Sequence, residues 1–181
     1  MTHLHASLGL TAFLAVALAP SLTAQAASYT IVGTSCTTGR ISGQIGPVPL
    51  RNVGLPRLGA TFSIETESTA SYPWGNRRTV LLLTGVSNTS AGGVPLPFDI
   101  SLLAPTEPFC GQLRTSMEFI ATLPRQSDHT TPSRIDFQVP NTPSVIGVQL
   151  FQQVLSIESS TFGPPFRSMA LSAGGVARIG V

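Results

Sequence analysis

Thr79 to Val86 reads TVLLLTGV. Its apolar residues fall on consecutive positions, so a strand here presents hydrophobic side chains to both of its faces. That pattern belongs to a central strand, covered on two sides. The next stretch, SNTSAGG at Ser87 to Gly93, is turn chemistry and stops the strand.

The same punctuation recurs in both directions. Leu58 to Glu65 (LGATFSIE) alternates, with Phe62 and Ile64 on one face and Thr61, Ser63 and Glu65 on the other, which predicts a half-buried strand. Ser28 to Gly33 reads as a first strand. Val94 to Leu103 carries Pro95 and Pro97 and suits an edge. Gln112 to Leu123 and Arg134 to Val139 read as two more strands, separated by the polar loop Pro124 to Ser133. Pro140 to Pro143 (PNTP) is a turn. Val145 to Ser156 fits a strand with a bulge at Gln152-Gln153 better than a helix, because a helix would leave little polar surface. Met169 to Ser172 and Val176 to Val181 flank Ala173-Gly174-Gly175, read as a loop. Many short strands, no long helix and no internal repeat predict an all-β fold, an antiparallel β-sandwich or jelly-roll-like domain.

Composition agrees. Charged residues make up 10% of the 181-residue chain, against about 25% in ordinary globular domains. Hydrophobic residues make up 42%, which excludes a disordered chain. The polar surface falls to Ser and Thr, 20 of each. All ten basic residues are Arg, scattered except for Arg77-Arg78, and the net charge is only +2. Nucleic acid is therefore not an expected partner.

The first 27 residues read as a secretory signal peptide. Leu8 to Leu18 is an apolar core, Pro20 breaks it, and Ala24-Gln25-Ala26 is a small-residue cleavage signal, although Met1 to His5 holds only His3 and His5 as basic groups. Cleavage after Ala26 or Ala27 leaves a single domain, residues 28–181. No later run is long enough for a transmembrane helix, so the mature chain is expected outside the cytosol: secreted, at the cell surface or in the periplasm. In that compartment Cys36 and Cys110 form a disulfide, the one pairing that two cysteines allow.

Several of these segments resemble, in order, those of a known family. They are YTIVGTSC at 29–36, LGATFSIE at 58–65, LLLTGVSNT at 81–89 and PLPFDIS at 95–101. FCGQL at 109–113, VPNTPSVIGVQLFQQ at 139–153 and RIG at 178–180 complete the set. The chain resembles a small secreted module of exported proteins from planctomycete-type bacteria, found alone or at the C-terminal end of larger proteins. The resemblance implies an all-β module with no established activity. Residues 66–78 and 124–133 depart from the pattern.

No motif supplies a catalytic constellation. Gly85-Val86-Ser87-Asn88-Thr89 begins like a nucleophile elbow but lacks its fifth-position Gly, so Ser87 and Asn88 read as turn residues. His129, beside Asp128 and seven residues before Asp136, reads as a solvated loop histidine. A secreted hydrolase using His129 with Asp128 or Asp136 is the alternative. Glu65 and Glu67 share one strand face and read as solvated, with no metal site or cofactor expected. Asp99 interrupts an apolar run and is expected as a buried carboxylate bonded to backbone N–H groups or an Arg. Tyr72-Pro73-Trp74, next to Asn76 and Arg77, carries the only Trp. It is either a recognition tip or a cover on a sheet end, and Tyr72, Trp74, Asn76 and Arg77 are the candidate ligand-binding residues. The expected function is a non-catalytic binding or surface module whose partner is an extracellular glycan or protein.

Overall fold

The computed structural model describes residues 24–36, 48–67, 76–107, 109–124, 126, 128, 130–160 and 168–181, with Asn76, Arg77 and Ser160 described by backbone alone. The chain is an all-β sandwich. Its large sheet has six strands, in the order β1 (Ser28–Val32), β13 (Ser168–Arg178), β12 (Gln149–Ser160), β4 (Asn76–Gly85) and β10 (Phe119–Thr122), with β8 (Phe109–Cys110) beside β13. All these pairings are antiparallel except β8 with β13. A three-stranded sheet, β11 (Ser133–Gln138), β3 (Thr61–Thr66) and β2 (Arg51–Val53), packs on one face. Two short ladders, β5 (Ser90–Ala91) with β6 (Val94–Pro95) and β7 (Phe98–Asp99) with β9 (Gln112–Leu113), complete the strands.

β4 is the central strand that its sequence predicts. Val80 and Leu82 face the small sheet and join Phe62, Ile64, Val154 and Ala177 in one buried core. Phe62 stacks on Phe137 there, with ring centroids 5.3 Å apart. Leu81 and Leu83 turn the other way, where Leu83, Leu171 and Ile100 form a second core under Phe98, Phe109 and Leu113. Each fully buried Leu contributes about 1.5–3 kcal/mol, and β4 supplies such residues to both cores.

The bulge expected in β12 at Gln152-Gln153 is not there: β12 pairs with β4 without a shift. Between Gln153 and Leu155 two steps of β12 face three of β13, from Gly174 to Leu171, so the extra residue belongs to β13 and Leu150 and Leu155 face opposite cores. Gln153 is fully buried and completely bonded. Its Nε2 donates to the carbonyls of Gln112 at 2.8 Å and Ser172 at 2.7 Å, and its Oε1 accepts from the Arg114 N–H at 2.9 Å. One side chain therefore pins β9 to the sheet. Gln152 points to the opposite face, in a row with Gly175 and Thr84. Its amide and the Thr84 hydroxyl are buried and bond to no protein group among the described residues.

Three further expectations are corrected. Ala173-Gly174-Gly175 is no loop: β13 runs through it unbroken. A Cβ on Gly175 would lie 2.0 Å from the Tyr29 hydroxyl, and one on Gly174 3.1 Å from a Val32 methyl, so the glycines make room for neighbours instead of turning the chain. Gln112 to Leu123 is two short strands, because the chain leaves the sheet to cross Gly85, where a Cβ would lie 1.9 Å from the Ser116 carbonyl oxygen. Asp99 is exposed; it caps the 3-10 turn Ile100–Leu103 by accepting from the Ser101 N–H at 2.9 Å.

Cys36 and Cys110 are joined, with Cα atoms 5.8 Å apart, and the Cys36 N–H donates to the Leu171 carbonyl at 2.9 Å. At the chain's ends, the Val181 N–H donates to the Gln25 carbonyl at 3.0 Å and Ala27 is buried. The disulfide closes a loop of 74 residues. Replacing both cysteines with Ser is expected to cost about 4 kcal/mol in chemical denaturation; a loss under about 1 kcal/mol would show that the loop is constrained without it.

Candidate functional site

Of the four candidate ligand-binding residues, Tyr72 and Trp74 lie outside the described residues. Asn76 and Arg77 open β4 opposite Ser160 and Ser159, but their side chains are likewise outside. The next residue, Arg78, was not singled out by the sequence and is buried. Its Nε donates to Ser156 Oγ at 2.8 Å and its Nη1 to Glu67 Oε2 at 3.2 Å, while Nη2 is enclosed without a partner. Alternation back from Leu82 and Val80 would have placed Arg78 inward. Glu158, its register partner, is also buried and accepts from Ser168 Oγ at 3.4 Å. The sandwich interior thus ends in charge where the chain enters β4.

All eight acidic residues are described, and their geometry is structural. Asp128 Oδ1 accepts from the N–H and hydroxyl of Thr130 and the N–H of Thr131, and Oδ2 from the Thr131 hydroxyl, at 2.6–2.8 Å. Bonds from Thr130 and Thr131 hold this carboxyl far below the usual range. Asp136 accepts from Ser63 Oγ and Arg134 Nε, both at 2.7 Å, which lower its pKa in that order. His129 lies outside the described residues. Glu65 pairs with Arg134 and Glu67 with Arg78, so the two do not converge on one ligand. Glu118 accepts from Ser116 Oγ at 2.7 Å and the Val86 N–H at 3.1 Å. Among the described residues, no three His, Cys, Asp or Glu groups are placed to hold a metal ion.

A cleft of about 160 Å³ lies on the opposite side of the large sheet from the small one, over Gly174 and Gly175. Its walls are Arg114, Asn88, Phe151, Val32 and Pro97, with Gln152 beneath. Gln153 positions Arg114 through the backbone N–H, and the Arg114 side chain then lies across Gly174 and Gly33. A Cβ on Gly33 would meet its Nε at 2.6 Å, and one on Gly174 its Cδ at 3.5 Å. Arg114 Nη2 donates to Gln112 Oε1, and no acidic side chain is within ion-pair distance of the guanidinium. Asn88 stands at the turn expected there: Ser87 Oγ accepts from the N–H groups of Thr89 at 3.2 Å and Ser90 at 3.3 Å. These walls offer hydrogen-bond donors, an amide and apolar surface, but no general acid or base. No motif signals this cleft, because Val32, Asn88, Arg114, Phe151 and Gly174 meet only in the folded chain.

No family model matches the chain, and no curated protein or solved structure matches it.

The depressed carboxyls make stability depend on pH. Asp99, Asp128 and Asp136 titrate below 3.8, and Glu118 below 4.5, in the folded chain. Near pH 4 the unfolded chain therefore binds more protons than the folded one, and stability falls with pH. Denaturation midpoints are expected to be level from pH 7 to about pH 5 and to drop below it, with the Asp128→Asn variant dropping less. A midpoint level down to pH 3 would show that these bonds contribute nothing.

Proposed function

We propose that the chain is an exported, non-catalytic binding module, carried out of the cytosol by residues 1–27 and acting in the secreted, cell-surface or periplasmic space. The observation that supports it is the contrast between the acids and the cleft. The acidic side chains are nearly all engaged in turns, caps and ion pairs, whereas the cleft offers a guanidinium, an amide and apolar walls. That is the composition of a site that holds a ligand. The disulfide fits an oxidising compartment, and the resemblance to the planctomycete-type secreted module agrees with this reading. The partner is an extracellular glycan or protein, and Tyr72, Trp74, Asn76 and Arg77 belong to the proposal as a second contact region.

An array of extracellular glycans and peptides is expected to retain the protein, while ester, glycoside and peptide substrates are turned over no faster than without it. Turnover abolished by His129→Ala would replace this reading with hydrolysis, and no retention on the array would remove it. Weaker retention of Trp74→Ala would assign a share of contact to the 66–78 segment.

Lateral assembly is a second reading, supported by one edge of the large sheet. β10 carries Phe119 and Ile120, 53% and 52% exposed on opposite faces, and among the described residues nothing pairs with its outer edge. Its sequence, FIAT, has no charge or Pro to block pairing with a second copy. Size-exclusion chromatography of the exported protein is expected to show dimers that Ile120→Lys converts to monomers; monomer alone at high concentration ends this reading.

A further inference from the structure

We propose that the Arg114 cleft binds the carboxylate of a uronic acid residue on an extracellular polysaccharide. This deepens the binding-module reading and rests on it.

Charge comes first. Among the described residues the Arg114 guanidinium makes one hydrogen bond, to the neutral Gln112 amide. The eight acidic side chains are all placed elsewhere. Glu65 and Asp136 serve Arg134, Glu67 serves Arg78, and Glu158 is bonded to Ser168. Asp99 and Asp128 hold backbone N–H groups of their own turns, Glu118 holds the Val86 N–H at the end of β4, and Glu107 is exposed in the turn before β8. The cleft therefore carries one positive charge and a set of unused N–H donors, whose planar fork matches a carboxylate. A single cation suits a monoanion better than a phosphate monoester, which carries close to two negative charges.

Size and lining narrow the ligand further. The volume of about 160 Å³ lies below the roughly 300–1,000 Å³ of pockets for drug-sized ligands. That admits one ring-sized unit of a polymer. Phe151, Pro97 and Val32 supply apolar surface for the C–H face of a sugar ring, and the Asn88 amide both donates to and accepts from hydroxyls. A peptide would bind most simply by adding a strand, but β12 and β13 beneath the cleft are already hydrogen-bonded along both edges. The floor thus offers no free main-chain ladder, which favours the sugar acid over a peptide carboxylate.

The test is a calorimetric titration of the full exported protein with oligogalacturonate, oligoglucuronate and oligomannuronate. Each is compared with its carboxyl-reduced counterpart, and a short peptide with a free C-terminal carboxylate is run beside them. At least one oligouronate is expected to bind at least tenfold more tightly than its reduced form. Arg114→Gln should abolish that difference and Arg114→Lys restore part of it, with the wild-type affinity falling as salt rises. Asn88→Asp, on an exposed turn, places a like charge against the ligand and should weaken the uronate at least tenfold more than it weakens the reduced form. It serves as the test should Arg114→Gln fail to fold. Equal binding of uronate and reduced forms, unchanged affinity in a folded Arg114→Gln or in Asn88→Asp, or tighter binding of the peptide would each overturn the assignment. If no oligouronate binds while other array members do, this inference fails and the binding-module reading survives; if nothing binds, the reading itself fails.

Discussion

Gly174 and Gly175 lie within the long β12–β13 pair, and the absence of two Cβ atoms there sets what both faces of the large sheet can carry. On one face the Tyr29 ring reaches over Gly175, and burial raises its phenol pKa. On the other, Val32 and the stem of Arg114 come down onto Gly174. A glycine in a strand interior costs conformational entropy and packs no side chain of its own. Here the space it leaves is occupied by an aromatic ring on one side and bounds a cleft on the other. A larger residue at either position would displace the groups above it.

A second constraint is the shortage of charge. With eight acidic and ten basic residues in 181, the chain has few ionic groups, and most of the acids act locally. Asp128 gathers the donors of Thr130 and Thr131, Asp99 caps one 3-10 turn, and Glu118 ties the Val86 N–H to Ser116. A carboxylate that accepts several hydrogen bonds is held ionised and is a poor proton acceptor near neutrality. The same economy leaves Arg114 without a carboxylate. Arg78 shows the contrasting case: a buried guanidinium requires compensation, and it has Glu67 and Ser156 within hydrogen-bond reach.

The cores are joined by connections that a strand pattern does not encode. Gln153 is a polar residue in a buried strand, tolerable because three backbone groups from β9, β13 and the Arg114 N–H saturate its amide. Gly85 lets the chain at Thr115–Ser116 pass close over the sheet, and that crossing carries the main chain from β9 to β10. The disulfide fastens the segment after β1 to β8, beside β13. Arg114 leaves β9 between these three attachments, so its place at the cleft follows from the packing around it.

The sequence by itself determined what depends on neighbours along the chain. Consecutive apolar residues in TVLLLTGV mark a strand with two covered faces, and alternation in TFSIE marks the inward Phe62 and Ile64, whereas the bulge expected in β12 falls in its neighbour β13. Two cysteines in a chain read as exported define one crosslink. Tertiary structure alone decided whether Gly174-Gly175 turned the chain or lay within a strand, since glycine fits either and only Tyr29 and Arg114, far away in sequence, make its lack of a side chain necessary. It also decided that Asp99 would stand exposed as a cap and that Arg78 would be enclosed. The cleft is the extreme case: its walls come from five separate stretches of chain, and no local periodicity records a cavity that exists only where they meet.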